Sequence, residues 1–204
     1  MVNSLEPSLA LLATSAVVML AGVVRGAIGF GFSALVVASC SMWMPAIYVV
    51  NAVVMLEMIA SVMMLRSTAG ASCSELLKPL FTGSILLIPF GVWLLATLES
   101  NVHLFLVSVY LIGVALLTSM KVQFKSQLNA RRLVFVGAIA GFFSGLSGIG
   151  GVFIAMFLNG SRVAVADIRA TMSHYFFMTE AVFLVSSWMN DLISMSSPKT
   201  QPPS

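Results

Sequence analysis

Three charged residues stand inside long apolar stretches of the chain: Arg25, Glu57 and Glu180. A guanidinium presents a planar fork of donors that matches an oxyanion, and a charge in apolar surroundings is seldom left without a partner. A carboxyl taken out of water favours its neutral form, so Glu57 and Glu180 could each take up and release a proton. One anion-binding group and two proton carriers describe the chemistry of an ion-coupled carrier. The same residues also admit structural roles. Arg25 could snorkel to the membrane edge or pair with a glutamate, and the glutamates could hold helices together as hydrogen-bonded neutral acids. His174 stands six residues before Glu180, a spacing that does not share a helix face, and reads as interfacial or packed. His103 reads as a surface residue at an external loop, and Asn51 as a polar contact between helices.

Composition says which elements must carry these residues. Of 204 residues 59% are hydrophobic and 8% charged, and the mean hydropathy is +1.04. A soluble domain carries about a quarter charged residues, so a soluble enzyme, a nucleic-acid binder and a disordered protein are excluded. The net charge of +3 is too small and too scattered to make a polyanion-binding patch. Ala46–Leu65, Pro79–Leu98 and Val102–Met120 are apolar on all sides without alternation. Each has the length of about 20 residues that a transmembrane helix needs, which excludes a barrel of short alternating strands. The fold class is an all-α integral membrane bundle. Glu6 precedes the first apolar stretch where a secretory signal would be basic, and no small-residue cleavage site follows cleanly. Cys40 and Cys73 have no metal-ligand spacing and read as a packing residue and a free thiol. No metal and no other cofactor is expected.

The glycines reveal a repeat. Residues 21–36 read AGVVRGAIGFGFSALV and residues 140–155 read AGFFSGLSGIGGVFIA. At a constant offset of 119, Ala21, Gly22, Gly26, Gly29 and Gly31 match Ala140, Gly141, Gly145, Gly148 and Gly150. The similarity continues after a length change, with Met55-Leu56-Glu57 answered by Met178-Thr179-Glu180 at an offset of 123. Residues 1–125 and 126–204 are thus read as a first and a second repeat, with residues 190–204 a polar tail. Tight helix packing alone is one reading of these glycines. They also permit a broken helix, whose exposed N–H groups and dipole attract anions.

Basic residues in loops set the orientation. Arg66 and Lys78 mark one loop, Lys121, Lys125, Arg131 and Arg132 a second, and Arg162 and Arg169 a third, all placed in the cytoplasm. Residues 133–159 must then enter the membrane and return. They are too few for two full spans at 1.5 Å per residue, so a helix, a glycine turn and a re-entrant half-helix are expected. The two repeats are inverted, which points to a secondary transporter with its site where the breaks meet.

The paired segments GVVRGAIGFGFSALV at 22–36 and GFFSGLSGIGG at 141–151 resemble the two signature segments of the TauE/SafE sulfite exporter family of bacterial membrane transporters. The resemblance covers the chain from Leu9 to Trp188. It implies a multi-pass protein of the bacterial inner membrane that carries sulfite or organosulfonate anions by alternating access, and an arginine at the position of Arg25. On this reading Arg25, Gly26, Gly29, Gly31, Ser144, Gly145, Gly148, Gly150 and Gly151 bind substrate, while Glu57 and Glu180 couple protons. The expected partners are a small anion, the lipid bilayer and a second copy in a homodimer, but not nucleic acid.

The chain departs from the family pattern in two places. Val152 and Phe153 follow the second GIGG where members often carry proline, and two further helices expected after the second repeat's glutamate are lacking. A truncated, inactive or assembly-type membrane subunit is therefore the first alternative. The second is an intramembrane serine protease, from Gly145-Leu146-Ser147-Gly148 with His174 as base.

Overall fold

Segments dominated by Leu, Val, Ala and Met, with no polar face to turn to water, form helices whose backbone polar groups satisfy one another. The computed structural model describes residues 7–67, 74–120, 129–161 and 163–190. Its elements are α1 (Pro7–Ile28), α2 (Phe32–Cys40), α3 (Ala46–Ser67), α4 (Ser74–Thr97), α5 (Ser100–Ser119), α6 (Ala130–Ser147), α7 (Gly151–Asn159) and α8 (Val165–Met189). Among the described residues, α1, α3, α4, α5 and α6 are long and apolar enough to cross a membrane. The chain is a polytopic helical membrane protein. Helix α4 begins at Ser74, ahead of the apolar run, and carries Pro79 and Pro89 in its interior.

Helix α8 also begins earlier than its hydropathy suggests. Ala164 takes an extended conformation at the N-cap and Asp167 lies in the first turn, where a carboxylate favours the helix start. Arg169, expected in a loop, is therefore helical, and His174 lies in the interior of α8. Cys73, Lys121, Lys125 and Arg162 fall outside the described residues.

The repeat is visible in the element boundaries. Adding the offset of 119 to the last residue of α1 gives the last residue of α6; the same shift carries both ends of α2 onto α7 and the start of α3 onto the start of α8. Glycine makes the break possible in both copies: Gly29 and Gly31 have φ 94°, and Gly148 has φ 72°, a region costly for other residues. The offset does not change before α8. Glu57 thus corresponds to Phe176, and Ser61 to Glu180, rather than Glu57 to Glu180 as the matching Met-x-Glu triplets suggest. The segments between half-helix and long helix, 41–45 and 160–164, are equally long and leave no room for a shift.

Helices α3 and α8 pack together. The Glu57 region faces Glu180, whereas Met64 and Arg169 both approach Gly29. The two helices therefore run antiparallel, and because they are equivalent, the repeats are inverted. Helices α4 and α6 instead run parallel, in the most extensive contact of the fold. Gly137, Gly141 and Gly145 of α6 press in turn on the backbone at Leu80, Ser84 and Ile88, while Gly83 and Gly91 of α4 press back on Val134 and Phe142. This small-residue seam lets the helix axes approach closely. These directions put Arg66, Lys78, Arg131, Arg132 and Arg169 at one end of the bundle, as the loop charges predict. Helix α8, the most polar of the long helices, packs on α3, α4, α6 and α7.

Candidate functional site

Arg25, in the last turn of α1, is 3% exposed. Its Nη1 donates to Glu57 Oε1 at 2.6 Å, and its Nη2 donates to Ser61 Oγ at 2.8 Å and to the Glu57 carbonyl at 3.5 Å. Glu57 and Ser61 are one helical turn apart on α3, so the guanidinium fork reads a single face of that helix. Its Cζ lies over the ring of Phe176 in α8, 4.7 Å from the centroid, a cation–π contact. The ion pair is the structural alternative for Arg25 that the sequence left open.

Glu57 is 1% exposed and has a second donor. The backbone N–H of Ser33, in the first turn of α2, donates to the same Oε1 at 3.3 Å. The carboxylate thus caps the half-helix that follows the first break and lies at the positive end of its dipole. Glu180, 4% exposed, completes the cluster from α8. Its carboxyl lies beside Glu57 and Ser61 and within electrostatic reach of Arg25, yet neither oxygen makes a hydrogen bond of ordinary geometry.

The two breaks meet across Phe176. One side of the ring region contacts Arg25, and a side chain at Gly151 would collide with the ring from the α7 side. Around the first break, Gly29 N–H donates to Arg25 O at 2.7 Å, and Arg169 Nη2 reaches Gly26 O at 3.4 Å. Gly29 itself packs beside the Arg169 and Met64 side chains, and Gly31 beside Val24.

The carbonyls freed at the second break are taken by α5. His103 Nε2 donates to Leu146 O at 3.0 Å, and the Tyr110 hydroxyl donates to Ile149 O at 3.3 Å and Gly150 O at 3.4 Å. Two turns separate His103 from Tyr110, so both lie on one face of α5. His103 is 1% exposed, which corrects its reading as a surface residue: the carbonyl left by the break draws it inward. The hydrophobic run alone does not reveal this, but a polar residue two turns before a tyrosine in an apolar helix is the available signal.

The structure therefore brings Arg25, Glu57 and Glu180 together and adds Ser33, Ser61 and Phe176, while Arg169 lies apart on the Gly26 carbonyl. It sets Ser144 and Gly145 apart from them. Ser144 lies beside Tyr175, whose hydroxyl is 2.7 Å from Ser84 Oγ. Gly145 lies on the backbone of α4, and Gly150 lies against the Ala140 carbonyl and Ser144. Gly148 faces Val53 and Val54 of α3. Gly26 has open space around it.

Ser147 is fully buried, and its hydroxyl donates to Phe143 O one turn back at 3.0 Å. His174 Nδ1 lies 2.8 Å from Ala170 O of its own helix. A serine turned onto its own helix is not poised for attack on a peptide. Ser147→Ala is expected to leave anion flux in liposomes within about twofold of wild type, since only one intrahelical hydrogen bond is lost. Abolished flux in a folded variant would give Ser147 a direct role.

Inverted repeats, each with a broken helix, that meet at a buried charged cluster define a membrane transporter. A family model for sulfite exporter TauE/SafE matches residues 14–197. The chain belongs to the TauE/SafE sulfite exporter family. No curated protein and no solved structure matches it.

Proposed function

We propose that the protein carries small sulfur oxyanions or organosulfonates across the bacterial inner membrane by alternating access, with proton coupling through Glu57 and Glu180. The observation that carries this reading is the buried Arg25 fork beside the N-terminus of half-helix α2, where a carboxylate is already held. Gly26, Gly29 and Gly31 form the substrate's first wall, and Gly148, Gly150 and Gly151 its second. Ser144 and Gly145 seat that second wall against α8 and α4. Proximity of two buried carboxyls to the anion site supplies the route by which protons and anions sense each other.

The test is flux of labelled sulfite into liposomes containing the purified chain, under an imposed pH gradient, with sulfoacetate, methanesulfonate, sulfate and chloride as competitors. Sulfite or a sulfonate is expected to be carried and to respond to the gradient. Absence of flux for every anion, from protein shown to be folded in the liposomes, would overturn the assignment.

A further inference from the structure

We propose that the Glu57 carboxylate is a resident anion in the substrate's own seat. A singly charged oxyanion binds by displacing it from Arg25 and from the start of α2, and each bound anion brings one proton to the Glu57–Glu180 pair. The inference rests on the assignment of Arg25 as a substrate contact and adds the competitor, the substrate charge and the stoichiometry.

Geometry identifies the seat. Glu57 Oε1 accepts from both Arg25 Nη1 and Ser33 N–H. A guanidinium and an opened helix N-terminus are the donors that bind an external oxyanion. The carboxylate and an oxyanion would need the same donors, and so cannot hold them together. Arg25 Nε, buried and without a hydrogen bond, is a further donor that the carboxylate leaves unused. Sulfite or a sulfonate carries three oxygens where a carboxylate carries two, and can reach it as well.

Charge balance supplies the stoichiometry. Arg25 brings the one positive charge, and Glu57 and Glu180 bring two ionisable carboxyls. Among the described residues, Arg25 is the one cation whose charge reaches both carboxyls; Arg66 is exposed at the end of α3, Asp167 lies in the first turn of α8, and His174 lies against Ala170 O. Helices α2 and α7 contain no charged residue, and Glu75, Lys78, Arg131 and Arg132 are exposed at the starts of α4 and α6. His103 and Tyr110 of α5 hold the second break, Tyr175 of α8 meets Ser84, and Arg169 reaches Gly26. An uncompensated charge in this buried place is costly, so one proton between the two carboxyls balances the resting cluster. Glu57, held by two donors, keeps the negative charge, and Glu180 beside it holds the proton. When a monoanion takes Arg25, balance is kept only if Glu57 accepts a proton as it leaves. Both carboxyls are then neutral, and the pair has no place for the second proton that a dianion would require.

The experiment measures binding and proton uptake together. Labelled sulfite is added to the purified full chain in weakly buffered detergent at mildly acidic pH, where it is singly charged hydrogensulfite, and a pH dye records the protons absorbed. One proton per anion is expected from the wild type. Glu57→Gln removes the competing charge from the seat and is expected to bind hydrogensulfite about tenfold more tightly. It still absorbs one proton, because Glu180 then carries the balancing charge. Glu57→Gln with Glu180→Gln is expected to bind without any proton uptake. Wild-type binding with no proton uptake overturns the proposal and requires no variant to fold. So does a Glu57→Gln protein of wild-type thermal stability that binds more weakly. If hydrogensulfite binds with one proton and Arg25→Gln binds equally well, the seat is elsewhere and the Arg25 assignment falls with it. Full binding and flux in that variant would leave the transport function standing.

Discussion

Arg25→Ala is expected to abolish anion flux and to lower the stability of the fold, and the two effects can be separated. Removing the guanidinium leaves the Glu57 carboxylate buried without its partner, a change that costs about 3–5 kcal/mol. It also frees Ser61 Oγ from its donor and takes the cation from the Phe176 ring. Flux should fall by about 100-fold or more, the scale of losing one hydrogen-bonded charge from a buried ionic contact. A loss of flux alone would not distinguish a substrate contact from a structural one. Arg25→Gln combined with Glu57→Gln removes both charges and should recover much of the stability, because neither partner is then left alone. Flux should not recover with it. Thermal unfolding in detergent and sulfite flux in liposomes, measured on the single and the double variant, check both halves. Wild-type flux in either would remove Arg25 from the substrate site.

The second large effect concerns a single motif position that behaves oppositely in its two copies. Gly141 faces the backbone of Ser84 so closely that an added Cβ would displace α4 from α6. Gly141→Ala should cost about 1–3 kcal/mol, as overpacking of a tight interior does. Gly141→Leu should prevent the parallel α4–α6 contact from forming and leave little folded protein. Its repeat partner Gly22 has nothing within 4 Å of the same added atom. Gly22→Ala should therefore be neutral or stabilise α1 by about 0.5–1 kcal/mol, since glycine is a poor residue inside a helix. Comparison of the unfolding temperatures of Gly141→Ala and Gly22→Ala tests the seam directly. Equal shifts in the two would show that the close approach of α4 and α6 does not set the stability.

Much of the fold is legible in the sequence itself. Composition and the apolar runs sufficed for the membrane class, because no arrangement of so few charges covers a water-facing surface. The glycines located both breaks, since Gly29, Gly31 and Gly148 hold left-handed conformations that other residues adopt at a cost. Arg25 and Glu57 stood out because charges in apolar helices need partners, and each proved to be the other's. The position of Glu180 was harder. A local likeness between two triplets suggested a shifted register, whereas equal connections hold the offset constant and place Glu180 opposite Ser61's role. His103 and Arg169 depart from what the sequence suggests for a common reason. Each binds a carbonyl that exists as an unmet acceptor only once a helix is broken elsewhere in the fold. The α4–α6 seam was hidden because its glycines are divided between helices far apart in sequence.

The fastenings of the two breaks differ in kind. The second is tied to α5 by an imidazole and a phenol, on carbonyls that stay where they are whatever ion is present. The first is held through Glu57 on the α2 N-terminus and through Arg169 on the end of α1, both of them charged groups. A change in local charge therefore loosens one tether and leaves the other intact. If Glu57 is displaced as proposed, the half-helix α2 loses its tether, whereas the break before α7 keeps its hydrogen bonds to α5, so the two pseudo-symmetric halves would respond unequally to the same ion.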